Sequence, residues 1–335
     1  MSSTLKKVVF ILSFIGALKA YSVLKALFRY FYRLQQKKNL KKLYGSSSQG
    51  TWAVVTGSSS GIGVHFARQL ASHGFNIVLV ARRKDKLEEV SKAIQQDFPS
   101  VKTSVVCCDL MKLGQADHLC ETFLQNIDSA IENGEIGVLV ANAGNSDLAR
   151  HFTDHSLERN RDMLNLNTLG NLALIQTLMP RLIRKDSRSC IVTVGALSAV
   201  TPLPGFATSS ANKAYLRHLS LCIHKEYEEN LDVLIAHPLA VKSEILSNTD
   251  GKKNSAILLG PDQFVEGILF RLGKGFRESF GWWVHDFMGY IVSDIMSYER
   301  RSAYWVKNIP RYSELLDRPV NLKPIQEKLQ QKQTN

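Results

Sequence analysis

The chain has 335 residues, 44% of them hydrophobic, which is core enough for one large α/β domain or two small ones. Its formal charge of +12 is unevenly placed: residues 1–42 hold ten Lys and Arg and no Asp or Glu, leaving about +2 for the other 293. That distribution argues against a nucleic-acid partner, whose recognition needs a charged face on a folded module, and for an anionic membrane surface or an import signal.

The N-terminal segment is the first element. Residues 8–18 are an almost unbroken apolar run, and the apolar character continues to Leu34 with Lys19, Lys25, Arg29 and Arg33 interrupting it. The clean run alone is too short to span a bilayer. On a helix the four basic side chains fall within about 120° of one another, leaving a broad apolar face. Such a helix either lies in the headgroup layer, with Phe28, Tyr30, Phe31 and Tyr32 at the acyl boundary, or spans over residues 5 to 26 with Lys19 and Lys25 snorkelling. In the second case Lys37, Lys38, Lys41 and Lys42 outweigh Lys6 and Lys7 and keep the body cytosolic. Either way residues 1–43 anchor the chain to membrane lipid, and an endoplasmic reticulum membrane is expected. A basic, acid-free terminus also suits mitochondrial import, and a lipid droplet is a further alternative. Residues 44–50 read as a linker and 51–321 as the domain.

From Thr51 short β-branched runs alternate with helical patterns: 52–56, 76–81, 103–108, 136–141, 189–195 and 231–237. Each gap exceeds the dozen or so residues of a parallel crossover, so the economical fold is α/β, a doubly wound parallel sheet of Rossmann type. The first run ends in Thr56-Gly57-Ser58-Ser59-Ser60-Gly61-Ile62-Gly63 and opens a helix, a turn whose backbone N–H groups suit a pyrophosphate. The second ends in Ala81-Arg82; an Asp or Glu near position 81 would suit a free ribose 2′-hydroxyl, whereas Arg82 suits a 2′-phosphate and hence NADP(H). The five cysteines form no CxxC pair and read as reduced core residues, with no metal site. No Asn-x-Ser/Thr sequon is present, in keeping with a cytosol-facing body.

The Thr56–Gly63 spacing, Asp109-Leu110, Asn142-Ala143-Gly144, Asn167 with Gly170, and Ser210-Ala211-Asn212-Lys213-Ala214 together resemble the short-chain dehydrogenase/reductase family over about residues 50–245. The resemblance implies cofactor contacts at Gly57, Ser59, Ser60, Gly61, Ile62, Gly63, Arg82, Asp109, Leu110, Asn142, Ala143, Gly144, Lys213 and Pro238. It implies that Asp109 meets the adenine, that Lys213 binds the nicotinamide ribose, and that Asn167 holds a water in a relay to Lys213. The run Leu219–Tyr227, Pro238 with Val241 and Ser243, the stretch Gly281–Gly289 and the basic N-terminus are similar to a narrower branch. That branch comprises very-long-chain 3-oxoacyl-CoA reductases and 17-beta-hydroxysteroid dehydrogenases, along with hydroxysteroid dehydrogenase-like proteins described as inactive.

Besides Ala141, where many members carry a second asparagine, two catalytic positions depart from the family pattern. Ser209 stands where the proton-donating tyrosine belongs, and Ala196 where a serine would hold the substrate carbonyl. A phenol works because its pKa near 10 is lowered by a neighbouring lysine and because its ring carries the hydroxyl over the nicotinamide; an alkyl alcohol has neither property. Tyr215 points about 200° away on the same helix, and Thr208 and Ser210 are turned by about 100°. The expectation is a protein of lipid or steroid metabolism that binds NADP(H) with impaired or absent chemistry. The alternatives are an active 3-oxoacyl-CoA or ketosteroid reductase with another proton donor, and an interaction protein with a vestigial nucleotide site.

In the C-terminal third, residues 239–262 read as the substrate loop, where Lys242, Lys252 and Lys253 face either solvent or an acyl-CoA phosphate; a lipid, acyl-CoA or steroid-like ligand suits the branch. Residues 262–297 interleave aromatic and aliphatic side chains with Arg271, Arg277, Asp286 and Asp294, which argues against a transmembrane span. A membrane patch, an acyl channel and a homo-oligomer surface all fit that segment, with Trp282-Trp283 suited to an interface. Residues 322–335 read as a polar tail.

Overall fold

The structure, a computed structural model, describes residues 3–45, 50–132, 134–146, 149–183, 187–239, 241, 258–300, 302–303 and 306–307. Most of the expected substrate loop, including Lys242, Lys252 and Lys253, and the expected polar tail lie outside the described residues. A long helix α1 (Ser3–Gln35) and a short α2 (Leu40–Tyr44) precede the domain. The domain then runs β1 (Thr51–Thr56), α3 (Gly61–Ser72), β2 (Asn76–Ala81), α4 (Lys84–Asp97), β3 (Thr103–Cys107), α5 (Leu110–Leu113), α6 (Asp117–Ile131) and β4 (Glu135–Ala141). Its second half is α7 (Leu157–Leu164), a π-helical turn Asn165–Gly170, α8 (Asn171–Leu182), β5 (Ser189–Val194), α9 (Ala207–Glu226), β6 (Leu231–Ala236), α10 (Pro261–Arg271), β7 (Glu278–Ser279) and α11 (Trp283–Tyr290).

The seven strands form one parallel sheet in the order β3-β2-β1-β4-β5-β6-β7. The strands β1, β4 and β5 are buried almost throughout, as a sheet covered on both faces requires. Alternate residues feed opposite cores. Ala53 and Val55 face Phe66, Leu70, Ile94, Phe264 and Ile268 of α3, α4 and α10, while Val54 faces Phe123, Ile127, Leu174 and Leu178 of α6 and α8.

Four details differ from the sequence expectation. Tyr44, assigned to the linker, is fully buried: it belongs to α2, and its hydroxyl donates to Asp232 Oδ2 at 2.7 Å beside the Arg188–Asp232 ion pair. Residues 261–271, at the start of the stretch left open as a membrane patch, an acyl channel or an oligomer surface, are a core helix, because Phe264, Val265, Ile268 and Leu269 complete the cover of the sheet. Tyr30 turns toward protein instead of an acyl boundary, because its hydroxyl finds the Asp286 carboxylate at 2.8 Å. Of the five cysteines, all free, only Cys190 is buried; Cys107 ends the edge strand β3 and Cys222 sits on the outer side of α9, so both are exposed.

The two-residue β7 was invisible to pattern reading and is held by charge. Glu278 takes a two-pronged ion pair from Arg217 of α9, both contacts 2.7 Å, and a hydrogen bond from His237 Nε2 at 3.0 Å. Burial raises its pKa, but the hydrogen bonds from His237 and Arg217 outweigh burial and hold it down at about 2. The sign follows: this carboxylate stabilises the fold above its unfolded value of 4.5, and that stability is lost as the pH falls from there toward about 2. Urea midpoints measured across that window should fall for the native chain and stay flatter for Glu278→Gln. Tyr44→Phe, which removes a donor to a charged acceptor, should cost about 1.5–3 kcal/mol with an unchanged denaturant slope.

Candidate cofactor and catalytic site

β1 ends in Thr56, a buried residue whose hydroxyl donates to the Val140 carbonyl at 3.2 Å and accepts from the Asn142 and Ala143 amides at 3.1 Å each. The Asn142 side chain answers by donating to Thr56 O at 2.9 Å and Gly57 O at 3.4 Å. The turns after β1 and β4 are thereby locked together. Strand order reverses between these two strands, and the crevice outside their carboxyl ends is where open α/β sheets take ligands.

The turn itself has the shape of an anion cradle. Gly57 and Gly61 sit at φ +64° and +58°, in the left-handed region that favours glycine. A Cβ on Gly63 would lie 2.3 Å from the Gly57 carbonyl oxygen and 2.7 Å from Asn142 Nδ2, so only glycine lets α3 start this close to the strand. Ser60 precedes α3 in an extended conformation and its side chain makes no capping hydrogen bond. The first-turn N–H groups of α3 are therefore available to a phosphate, and Ser59, Ser60 and Ile62 lie half-buried around them. Arg82 stands exposed just past β2, and among the described residues its guanidinium meets only the weak acceptor Met111 Sδ, at 3.9 Å. Asp109 caps α5 by accepting from Met111 N at 3.1 Å, with Leu110 buried behind it.

The far end of the crevice brings together Asn167 and Lys213, the two catalytic candidates from the sequence. Asn167 lies in the π-helical turn, buried, with its amide bracing Asn145: Oδ1 accepts from Asn145 N at 2.9 Å and Nδ2 donates to Asn145 O at 2.8 Å. Lys213 reaches from α9 to donate to Val194 O at 2.8 Å. A Cβ on the exposed Gly144 would meet both, Asn167 Oδ1 at 3.0 Å and Lys213 Nζ at 3.4 Å, so the two side chains converge beside this glycine. Ala196 follows β5 half-buried, Ser209 is buried in the first turn of α9, and Pro238 follows β6 half-buried. The neighbouring hydroxyls are engaged elsewhere. Thr208 donates to Asn160 at 2.7 Å, Ser210 accepts from Leu203 N at 3.4 Å, and Tyr215 is exposed on another face of the helix.

Thr56, Asn145 and Asn171 were not singled out as site residues from the sequence. Asn171 lies one turn past Asn167, and its amide nitrogen is within 3.1–3.2 Å of the Ala143, Leu166 and Asn167 carbonyls, which ties the π-helical turn to the end of β4. Thr56 stood within the quoted glycine motif; no local pattern marks the two asparagines.

The model of the family described as short chain dehydrogenase matches residues 51–254. The chain belongs to that family. Very-long-chain 3-oxoacyl-CoA reductase of Podospora anserina is 30% identical over 274 residues, covering 80% of this chain and 77% of that protein. The human protein of the same name is 31% identical over 255 residues, covering 74% and 77%. Among solved structures, an alcohol dehydrogenase of Thermococcus sibiricus complexed with 5-hydroxy-NADP superposes with TM-score 0.61 at 25% identity, covering 69% of this chain and 95% of the other. A 7beta-hydroxysteroid dehydrogenase superposes with TM-score 0.67 at 20% identity, covering 80% and 100%, a likeness of fold. Short-chain dehydrogenases as a family bind NAD(P)(H), and the glycine cradle and uncapped α3 described above fit such a dinucleotide.

Burial lowers the Lys213 pKa from 10.5 to about 8. Because the folded value lies below the unfolded one, the unfolded chain holds the extra proton between them, and stability should rise with pH from about 8 to about 10.5. Thermal midpoints of the cofactor-free protein should show that rise, and Lys213→Met should lack it.

Proposed function

We propose that this short-chain dehydrogenase binds NADP(H) and belongs functionally with the reductases of long acyl or steroid ketones, with carbonyl reduction impaired by the residues at 196 and 209. The observation that carries this reading is the contrast within one crevice: cradle glycines, Asn142, Asn167 and Lys213 are in place, while Ala196 and Ser209 offer no phenol and no second hydroxyl. The cofactor supplies the hydride when bound. The protein's part is to hold the nicotinamide ribose through Lys213 and to deliver a proton to the developing alkoxide. Loss of a general acid costs about 10²- to 10⁴-fold, and loss of an oxyanion donor about 10²- to 10³-fold. Arg82 supports the choice of NADP(H), since an exposed guanidinium beside an adenosine pocket pairs with a 2′-phosphate.

A second reading, an active 3-oxoacyl-CoA reductase with another proton source, is favoured by relatives of that name aligned over about three quarters of their length. The two readings share a location. The helix Lys6–Gln35 is long and apolar enough to cross a membrane by length and composition. The excess of lysines after it over those before it favours a body on the cytosolic side of the endoplasmic reticulum membrane.

Energy transfer from tryptophan to NADPH should saturate on titration, and Arg82→Ala should weaken NADPH by about tenfold while leaving NADH nearly unchanged. No saturable signal with either nucleotide would remove the cofactor reading. Single-turnover oxidation of bound NADPH by a long-chain 3-oxoacyl-CoA should be slow in the native chain and at least about 10²-fold faster in the Ser209→Tyr, Ala196→Ser double variant. Rapid oxidation by the native chain, no slower than in the double variant, would decide for the second reading.

A further inference from the structure

Helix α1 is joined to the domain by more than a tether. Tyr30, Arg33 and Leu34, spaced i, i+3 and i+4, form a half-buried face at its carboxyl end. The Tyr30 hydroxyl donates to Asp286 Oδ2 at 2.8 Å, and Arg271 Nη2 lies 2.9 Å from the same carboxylate oxygen and 3.3 Å from the Tyr30 hydroxyl. The Tyr30 ring meets Phe276 edge-on at 5.6 Å, Arg33 lies over that same ring, and Lys274 Nζ reaches the Leu34 carbonyl at 3.5 Å. Arg271 is 4% exposed, so this is a buried contact that fixes direction as well as position. The face docked this way is withdrawn from lipid, although Phe28, Phe31 and Tyr32 of the same turns stay exposed, so the undocked length of α1 runs up to residue 26 or so. That length, about 35 Å of helix, matches a hydrocarbon core of about 30 Å crossed with some tilt.

Asp286 sits on α11, and one flank of that helix is left exposed among the described residues. Trp283, Phe287 and Tyr290 lie within about 60° of one another on the helical wheel, and they are 60%, 59% and 47% exposed. Asp286, the residue that Tyr30 grips, borders this face. Because Tyr30 grips Asp286, the point at which α1 would leave a bilayer is joined directly to the helix that carries these three aromatics. Lys37 and Lys38, exposed just past the end of α1, suit the headgroups, and Trp and Tyr are the residues whose amphipathic rings settle at that depth.

From these contacts we infer that Trp283, Phe287 and Tyr290 of α11 form a second membrane contact, lying in the headgroup layer of the bilayer that α1 enters. The Tyr30–Asp286–Arg271 junction sets the tilt of the domain. The inference rests on the anchoring of α1 and adds a fixed orientation: the sheet edge at β7 lies against the lipid surface, so the domain does not swing freely on a leash. The occupant is a phospholipid surface, and the competing occupant, a second copy of this chain, is separated by the test.

The test uses the full-length chain carrying Trp282→Phe and Trp305→Phe, which leaves Trp283 and the buried Trp52. The protein is reconstituted into phosphatidylcholine–phosphatidylserine vesicles whose acyl chains are brominated either near the glycerol or near the bilayer centre. Resistance to carbonate extraction reports α1 insertion independently. Trp283 emission should be quenched more strongly by the shallow bromines than by the deep ones, and the signal should vanish in a further Trp283→Ser variant. Adding Tyr30→Phe should weaken the shallow quenching while carbonate resistance persists. A carbonate-resistant protein whose Trp283 is untouched by either lipid would overturn the α11 contact alone. Shielding of Trp283 that grows with protein-to-lipid ratio instead of bromine depth would overturn it in favour of a second copy. A protein stripped by carbonate would overturn the anchor and this contact with it.

Discussion

The Thr56 hydroxyl is the constraint on which the site depends. It lies at the end of the central strand β1 and serves three partners at once, as donor to Val140 O and as acceptor for the Asn142 and Ala143 amides. No apolar residue of the same shape could do this, because two backbone N–H groups at the end of β4 would then be buried without partners, at about 1–3 kcal/mol each. The same bonds bring Asn142 over the glycine turn, where its amide returns hydrogen bonds to Thr56 O and Gly57 O. Each half of the cofactor crevice is thus held by the other half, and α3 begins where Gly63 allows it to touch both.

That arrangement distinguishes the groups that hold the crevice together from those that do not. The cradle is built from backbone conformation and from polar groups whose loss would disturb the core. Among the described residues, the side chains of Ala196 and Ser209 carry none of these bonds. The strand end and the first turn of α9 around them are held by other contacts, among them Lys213 to Val194 O and the Thr208–Asn160 bond. The π-helical turn at Asn165–Gly170 persists for the same reason: Asn167 and Asn171 spend their amides on the backbone of the β4 turn. Its cost is met by structure whether or not a proton passes through the site.

The strands and the glycine turn were legible because their signals are local. The six apolar runs match β1 to β6 within about a residue at each end, since strands buried on both faces need unbroken apolar sequence. What escaped was long-range. Nothing in the sequence around Tyr44 reveals that Asp232, far along the chain, waits for its hydroxyl. β7 is two residues long and is made by Arg217 and His237, so no periodicity exists to read. The candidate site divides in the same way: the glycines, Asn142, Asn167 and Lys213 stand in motifs, whereas Asn145 and Asn171 act only through a turn that brings four carbonyls and an amide together.

The charged residues inside the apolar stretch 262–297 carry the last step. Read from the sequence, Arg271 and Asp286 argue against a membrane span, and in the structure they sit against each other at 2.9 Å, nearly buried, with the Tyr30 hydroxyl between them. Exchanging such a pair for well-packed apolar residues is often neutral, so net stability is a weak reason for it, whereas breaking one partner costs about 3–5 kcal/mol. A contact with that profile specifies geometry. It accepts one placement of α1 and penalises the others, and it also ties β7 to the helix through Ser279 Oγ and the Phe280 amide, both of which donate to Asp286. The N-terminal helix and the last strand of the sheet are thereby parts of one connected edge, joined by charges that the sequence alone presents as interruptions.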